Sequence, residues 1–118
     1  MDITPQFAES MNHITQYGDG GFTISGEKQM GSVLVFADRV VPWDGVISAE
    51  SLQACAQDTI DILLIGCGET GAFIVPELRA HFKMFGVSID AMDTGAACRT
   101  FNILMSESRR VVAALVAI

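Results

Sequence analysis

Ile62-Leu63-Leu64-Ile65-Gly66-Cys67-Gly68-Glu69-Thr70-Gly71 runs four large apolar residues straight into a loop with three glycines. A strand without polar alternation needs cover on both faces, so Ile62 to Ile65 belong inside a sheet rather than at its rim. The loop then stands at the carboxyl end of an interior strand, where α/β sheets hold ligands if they hold any. Downstream, Pro76 suits the first position of a helix that carries Leu78, Phe82 and Phe85 on one stripe, with Arg79 and Lys83 opposite and Gly86 as terminator. Val87 to Ala91 is a further strand. Asp93 caps a helix through about Glu107, with Ala97, Phe101, Leu104 and Met105 facing the core. Val111 to Ile118 is an apolar run suited to another buried strand.

Upstream of the quoted stretch, Ser48 is an N-cap residue with Ile47 and Leu52 arranged as a hydrophobic staple, which predicts a short helix to about Gln57. Ser32 to Ala37 is a continuous apolar strand. Val40 to Trp43 either pairs back against it or continues it, with Pro42 marking an edge or a strand end and Trp43 in the core. Ile14 to Tyr17 and Gly21 to Ser25 flank Gly18-Asp19-Gly20, which predicts a β-hairpin. Residues 1–13 are polar and read as an N-terminal arm, leaving 14–118 as one domain. The alternation of strands and helices from Ser32 onward gives the α/β class, with a mixed central sheet and crossover helices. Three helices cover only part of such a sheet, so the N-terminal hairpin supplies a further β layer.

The chain has 118 residues, half of them hydrophobic, and carries 14 acidic against 7 basic side chains for a formal charge of -7. That balance favours a folded domain and repels phosphate backbones and anionic lipid, so no nucleic-acid partner is expected. The longest apolar run, Val111 to Ile118, falls far short of the roughly 20 residues of a spanning helix, so no membrane insertion is expected. Met1 to Asn12 has no basic residue and no apolar stretch, hence no secretory signal, and the expected location is the cytoplasm. Cys55, Cys67 and Cys98 are an odd set without CxxC spacing, and His13 and His81 stand apart from them, so reduced thiols and no metal site are expected.

Gly66-Cys67-Gly68-Glu69-Thr70-Gly71 fits GxGxxG, and Asp90 ends the next strand, where a ribose-binding acid would sit. Against a dinucleotide, Pro76 starts the helix too late, Glu69 puts a negative charge where pyrophosphate would approach, and a second mononucleotide half is lacking. No cofactor is therefore expected. A more general crevice would bring Gly66, Cys67 and Gly68 beside the helix start at Asp93, Thr94 and Gly95, with Cys98 and Arg99 one turn further. There Arg99 and the free amides of Gly95 and Ala96 would hold a carboxylate or phosphate. The blander readings are a sharp turn at the glycines, capping by Asp93, close backbone approach at Gly95, and Cys67 and Cys98 as small packing residues. Arg99, Glu107, Arg109 and Arg110 are expected to pair across the last helix or with Asp90. No catalytic residue set emerges.

Leu63 to Gly68, Pro76-Glu77-Leu78, Met92-Asp93-Thr94-Gly95-Ala96-Ala97-Cys98-Arg99-Thr100-Phe101-Asn102-Ile103-Leu104 and Ser106 to Leu115 together resemble the Mth-domain family. The long segment from Met92 is the most distinctive part, and a looser likeness runs from about Gln16. The resemblance implies a small three-layer β plus α/β fold. It supplies no catalytic set or cofactor, so Asp93, Thr94, Cys98, Arg99, Asn102, Glu107 and Arg109 carry over as motif positions only. Cys67 stands where a small residue such as Thr is usual. Ser108 stands where Gly is usual and must make a left-handed turn with a Cβ.

One family member assists assembly of respiratory complex I, which implies a non-enzymatic factor that binds partner proteins. The competing expectations are a small-ligand protein or minor enzyme, taking an anion or nucleotide at the Gly66 to Gly71 crevice, and a homodimer that hides surplus apolar surface.

Overall fold

The apolar runs become interior strands of one mixed sheet, and the more polar stretch from Ile14 to Met30 builds a second sheet beside it. The structure is a computed structural model that describes residues 11–118. The expected arm therefore lies mostly outside the described residues. Of its described part, the Asn12 backbone N–H donates to the Ala37 carbonyl at 2.8 Å and its side-chain amide to the Phe36 carbonyl at 2.9 Å.

Strands β1 (Ile14–Gly18), β2 (Gly21–Ile24) and β3 (Glu27–Met30) form an antiparallel meander. The main sheet contains β4 (Val33–Val35), β5 (Val40–Pro42), β6 (Ile62–Gly66), β7 (Ser88–Met92) and β8 (Val111–Leu115), in the spatial order β5-β4-β8-β6-β7. β6 runs parallel to β7 and β8, whereas β4 is antiparallel to both β5 and β8. The helices are α1 (Gln53–Gln57), α2 (Pro76–Lys83) and α3 (Thr94–Ser106).

At the centre of the main sheet, β4, β8 and β6 are buried on both faces, as strands without polar alternation require. On one face, Leu63, Ile65, Val112 and Ala114 pack with Cys55 of α1 and with Leu78 and Phe82 of α2. On the other, Leu64, Val111, Ala113 and Leu115 pack with Ala97, Phe101 and Met105 of α3 and with Ile14, Phe22 and Ile24 of the meander. The result is the expected layered β plus α/β architecture, with a mixed sheet at its centre.

Several local expectations change. The hairpin gains a third strand, because Ser25 and Gly26 adopt φ of 50° and 85° and turn the chain back so that Ile24 pairs with Glu27. Two consecutive positive-φ residues are the signature of the tight turn that matches strand twist. β3 was hidden in the sequence because Glu27-Lys28-Gln29-Met30 lies at an exposed edge and shows no apolar alternation. The helix expected from Ser48 begins only at Gln53. Ser48 Oγ accepts from the Ser51 N–H at 3.1 Å and so caps the preceding turn instead. Phe85, expected on the core stripe of α2, is half exposed, since it falls beyond the last helical residue, Lys83. Val40 to Pro42 pairs back on β4 as an edge strand, and Trp43 is buried.

Candidate functional site

The glycine loop and the start of α3 meet at one junction, and Thr94 is its centre. Thr94 is fully buried, the one polar side chain so placed among the described residues. Its hydroxyl accepts from the Gly68 N–H at 2.9 Å and donates to the Val116 carbonyl at 2.8 Å. Its own N–H donates to the Gly68 carbonyl at 2.8 Å, so both polar groups of Gly68 are satisfied by one residue. Cys67 N–H donates to the Met92 carbonyl and Val116 N–H to the Gly66 carbonyl, at 2.8 and 2.9 Å. The loop is thereby stitched to β7, α3 and the end of β8, which lets buried backbone turn without unpaired groups.

Two glycines make the junction sterically possible. A Cβ at Gly66 would lie 2.9 Å from Thr94 Cα and 3.0 Å from Leu115 Cδ2, so α3 could not sit this close to β6 with any larger residue. A Cβ at Gly95 would lie 2.5 Å from the Tyr17 hydroxyl. The close approach expected at Gly95 is therefore made by the Tyr17 ring rather than by another backbone. The Arg99 Nη1 donates to the same hydroxyl at 3.4 Å.

Each residue expected at the crevice can be followed. Gly66, Gly68, Thr94 and Gly95 are brought together, buried, and hold the loop against the helix. Asp93 caps α3 through the Ala96 N–H at 2.9 Å, so the Ala96 amide expected to be free is already used. Cys67 is half-buried, with its Sγ 3.6 Å from the Ile65 carbonyl. Cys98 is buried under α3, and that burial pushes its thiol up to about 12; Cys55, buried under α1, is pushed up to about 12 for the same reason. Neither is a thiolate at neutral pH. Arg99 stays exposed beside Tyr17.

The expected ion pairing also changes. Arg110 forms a two-pronged pair with Asp61, at 2.9 and 3.1 Å, rather than pairing across α3 or with Asp90. Asp61 precedes β6 and Arg110 precedes β8, so this pair joins the starts of two neighbouring strands. No cluster of three or more potential metal ligands occurs among the described residues.

One signature residue does work the sequence did not disclose. The Asn102 side chain accepts from the Ile14 N–H at 2.8 Å and donates to the Ile14 carbonyl at 2.7 Å. A primary amide presents an acceptor and a donor side by side, as a neighbouring strand does. Asn102 thus completes the outer edge of β1 and ties the meander to α3. Its position on a helix hides this, since the partner lies far away in sequence.

Away from the junction the surface is less closed. Four large apolar side chains between Phe73 and Phe85 are exposed: Phe73 at 80%, Met84 at 85%, Val75 and Phe85 at about half. His81 packs on the rings of Phe82 and Phe85, with centroids 5.4 Å away in each case. Among the described residues, no helix is long and apolar enough to cross a membrane.

Residues 14–116 match the family described as Protein of unknown function (DUF498/DUF598). An uncharacterized protein of Rhodobacter capsulatus is 38% identical over 111 residues, covering 94% of this chain and 88% of that protein. A Xenopus tropicalis protein named NADH dehydrogenase [ubiquinone] 1 alpha subcomplex assembly factor 3 is 32% identical over 109 residues, covering 87% of this chain. The chain spans 60% of the length of that frog protein. Among solved structures, a Bordetella pertussis Mth938-like domain superposes with a TM-score of 0.80 at 30% identity, covering 98% of this chain and 90% of that one. The expected Mth-domain resemblance is thus met in both sequence and fold.

Proposed function

The chain belongs to the DUF498/DUF598 family, and from that membership we propose that it is a protein-binding factor of the respiratory-complex-assembly type, working without catalysis. The observation that carries this reading is the likeness to relatives named as a complex I assembly factor, which extends over most of the chain. Two features of the molecule support it. The signature residues Asp93, Thr94 and Asn102 spend their polar groups on backbone partners within the fold. The exposed apolar side chains from Phe73 to Phe85 offer contact area of the kind protein interfaces bury.

The test is affinity capture of the tagged chain at native expression level in its own host, with chemical cross-linking and mass spectrometry. Subunits of the NADH dehydrogenase, or another assembly protein, are the expected catch. Recovery of the bait alone would overturn the reading.

A further inference from the structure

A sheet edge left open is a template for another strand, and proteins usually close such edges. Three of the four edges here are blunted or partly covered. Asn102 occupies the edge of β1 at Ile14, β5 is three residues long and ends in Pro42, and β3 carries exposed Glu27 and Lys28. β7 differs. It has five residues and no proline, and the Ser88 N–H and Met92 carbonyl bond toward β6. The strand alternation therefore turns the backbone groups of Ile89 and Ala91 outward. Among the described residues, the one group that meets this edge is the Arg79 guanidinium, which donates to the Ile89 carbonyl at 2.7 Å.

Beside that contact lies a cleft of about 290 Å³ lined by Arg79, Lys83, Val87, Ser88 and Ile89. Arg79 and Lys83 stand one turn apart on α2 and are two of the seven basic residues in an otherwise acidic chain. Ile89 and Ala91 direct their side chains to the α2 face, whereas Asp90, exposed, belongs to the opposite face of the sheet. The edge thus asks for an extended backbone, for carboxylates on alternate residues facing α2, and for no acid beside Asp90. A second copy fits poorly: the two-fold pairing that sets Ile89 against Ala91 also sets Asp90 against Asp90, and directly opposed like charges destabilise a strand pair.

We propose that the outer edge of β7 binds an extended acidic segment of a partner protein by strand addition, with Arg79 and Lys83 reading its alternate carboxylates. This deepens the protein-binding reading and rests on it. On docking, Arg79 exchanges its bond to the Ile89 carbonyl for a partner carboxylate, the freed backbone of Ile89 and that of Ala91 supply the docking bonds, and the charge pattern supplies selectivity.

The test pans displayed octapeptides against the full chain and measures the selected peptides by fluorescence anisotropy. The expected peptides carry Asp or Glu at alternate positions, bind the Arg79→Glu/Lys83→Glu variant at least about tenfold more weakly, and lose binding to Ala91→Pro. Ala91→Pro removes an outward donor and leaves both the ladder to β6 and the surface charge intact. Because a variant can fail by unfolding, amide exchange on the unaltered chain gives a second readout, with Ile89 and Ala91 slowed by peptide. No selected peptide, basic peptides, slowing elsewhere, or self-association through β7 would each overturn the proposal. Capture of the native partner by Ala91→Pro at the unaltered level would overturn it while leaving the protein-binding reading standing. A bare bait with the unaltered chain would instead remove that reading.

Discussion

The two flanks of β6 are built to different standards. At its carboxyl end toward α3, Gly66, Gly68 and Thr94 close on one another with every named polar group paired. Toward α2 and β7, large apolar side chains stand in solvent and a strand edge is met by one arginine. The difference teaches that the most distinctive stretch of the sequence serves the architecture. The plainer stretch between Phe73 and Phe85 instead leaves four large apolar side chains exposed.

The sharpest way to break the comparison is Thr94→Val. It keeps the shape but orphans the Gly68 N–H and the Val116 carbonyl, and should cost about 3 kcal/mol in urea unfolding. A loss below about 0.5 kcal/mol, the ordinary range for surface changes, would show that these hydrogen bonds do not hold the junction together. Gly66→Ala comes next. The added Cβ meets backbone of α3 at 2.9 Å, which a rotamer change cannot relieve, and a cost of about 2 kcal/mol follows for overpacking. Calorimetric melting of that variant is the check.

Alkaline titration sharpens the comparison, because one buried thiol lies under each helical layer. Cys55 and Cys98 are both raised from 9.0 to about 12 by burial. The unfolded chain therefore loses these protons first, so the stability they contribute is whole below pH 9.0 and falls as pH climbs toward 12. Urea midpoints measured across that window should decline less steeply in Cys55→Ala and in Cys98→Ala than in the unaltered chain. Equal slopes would refute the assignment. The smallest expected effect on stability belongs to the open flank. Phe73→Ser with Met84→Ser should move the unfolding free energy by no more than about 0.5 kcal/mol, yet reduce partner recovery in affinity capture. A large loss of stability would mean that this flank is core after all.

The main sheet was legible because Ile62 to Ile65 and Val111 to Leu115 carry no polar alternation, and only burial on both faces explains such runs. Asp93 was legible as a cap, and the left-handed turn at Ser108, which the family resemblance alone implied, is met with φ of 60°. β3 was not legible, since a polar edge strand has no periodicity to read. The work of Asn102 and Thr94 was not legible either. Their side chains bond to backbone of Ile14 and Val116, and a single sequence contains no trace of which distant carbonyl a given hydroxyl or amide will find. Phe85 leaves the core stripe that its helical spacing predicts because α2 stops two residues earlier, at Lys83.

The strand order carries one consequence for how the molecule is made. β8, last of the strands along the chain, lies between β4 and β6. During vectorial synthesis the β4–β5 hairpin and the β6–α2–β7 unit emerge first, each with a naked inner edge and no direct pairing to the other. Only when Val111 to Leu115 arrives do the two halves join, so nascent chains pass through a sticky, half-zipped stage. A chain truncated just before Val111 keeps both inner edges naked and is expected to aggregate.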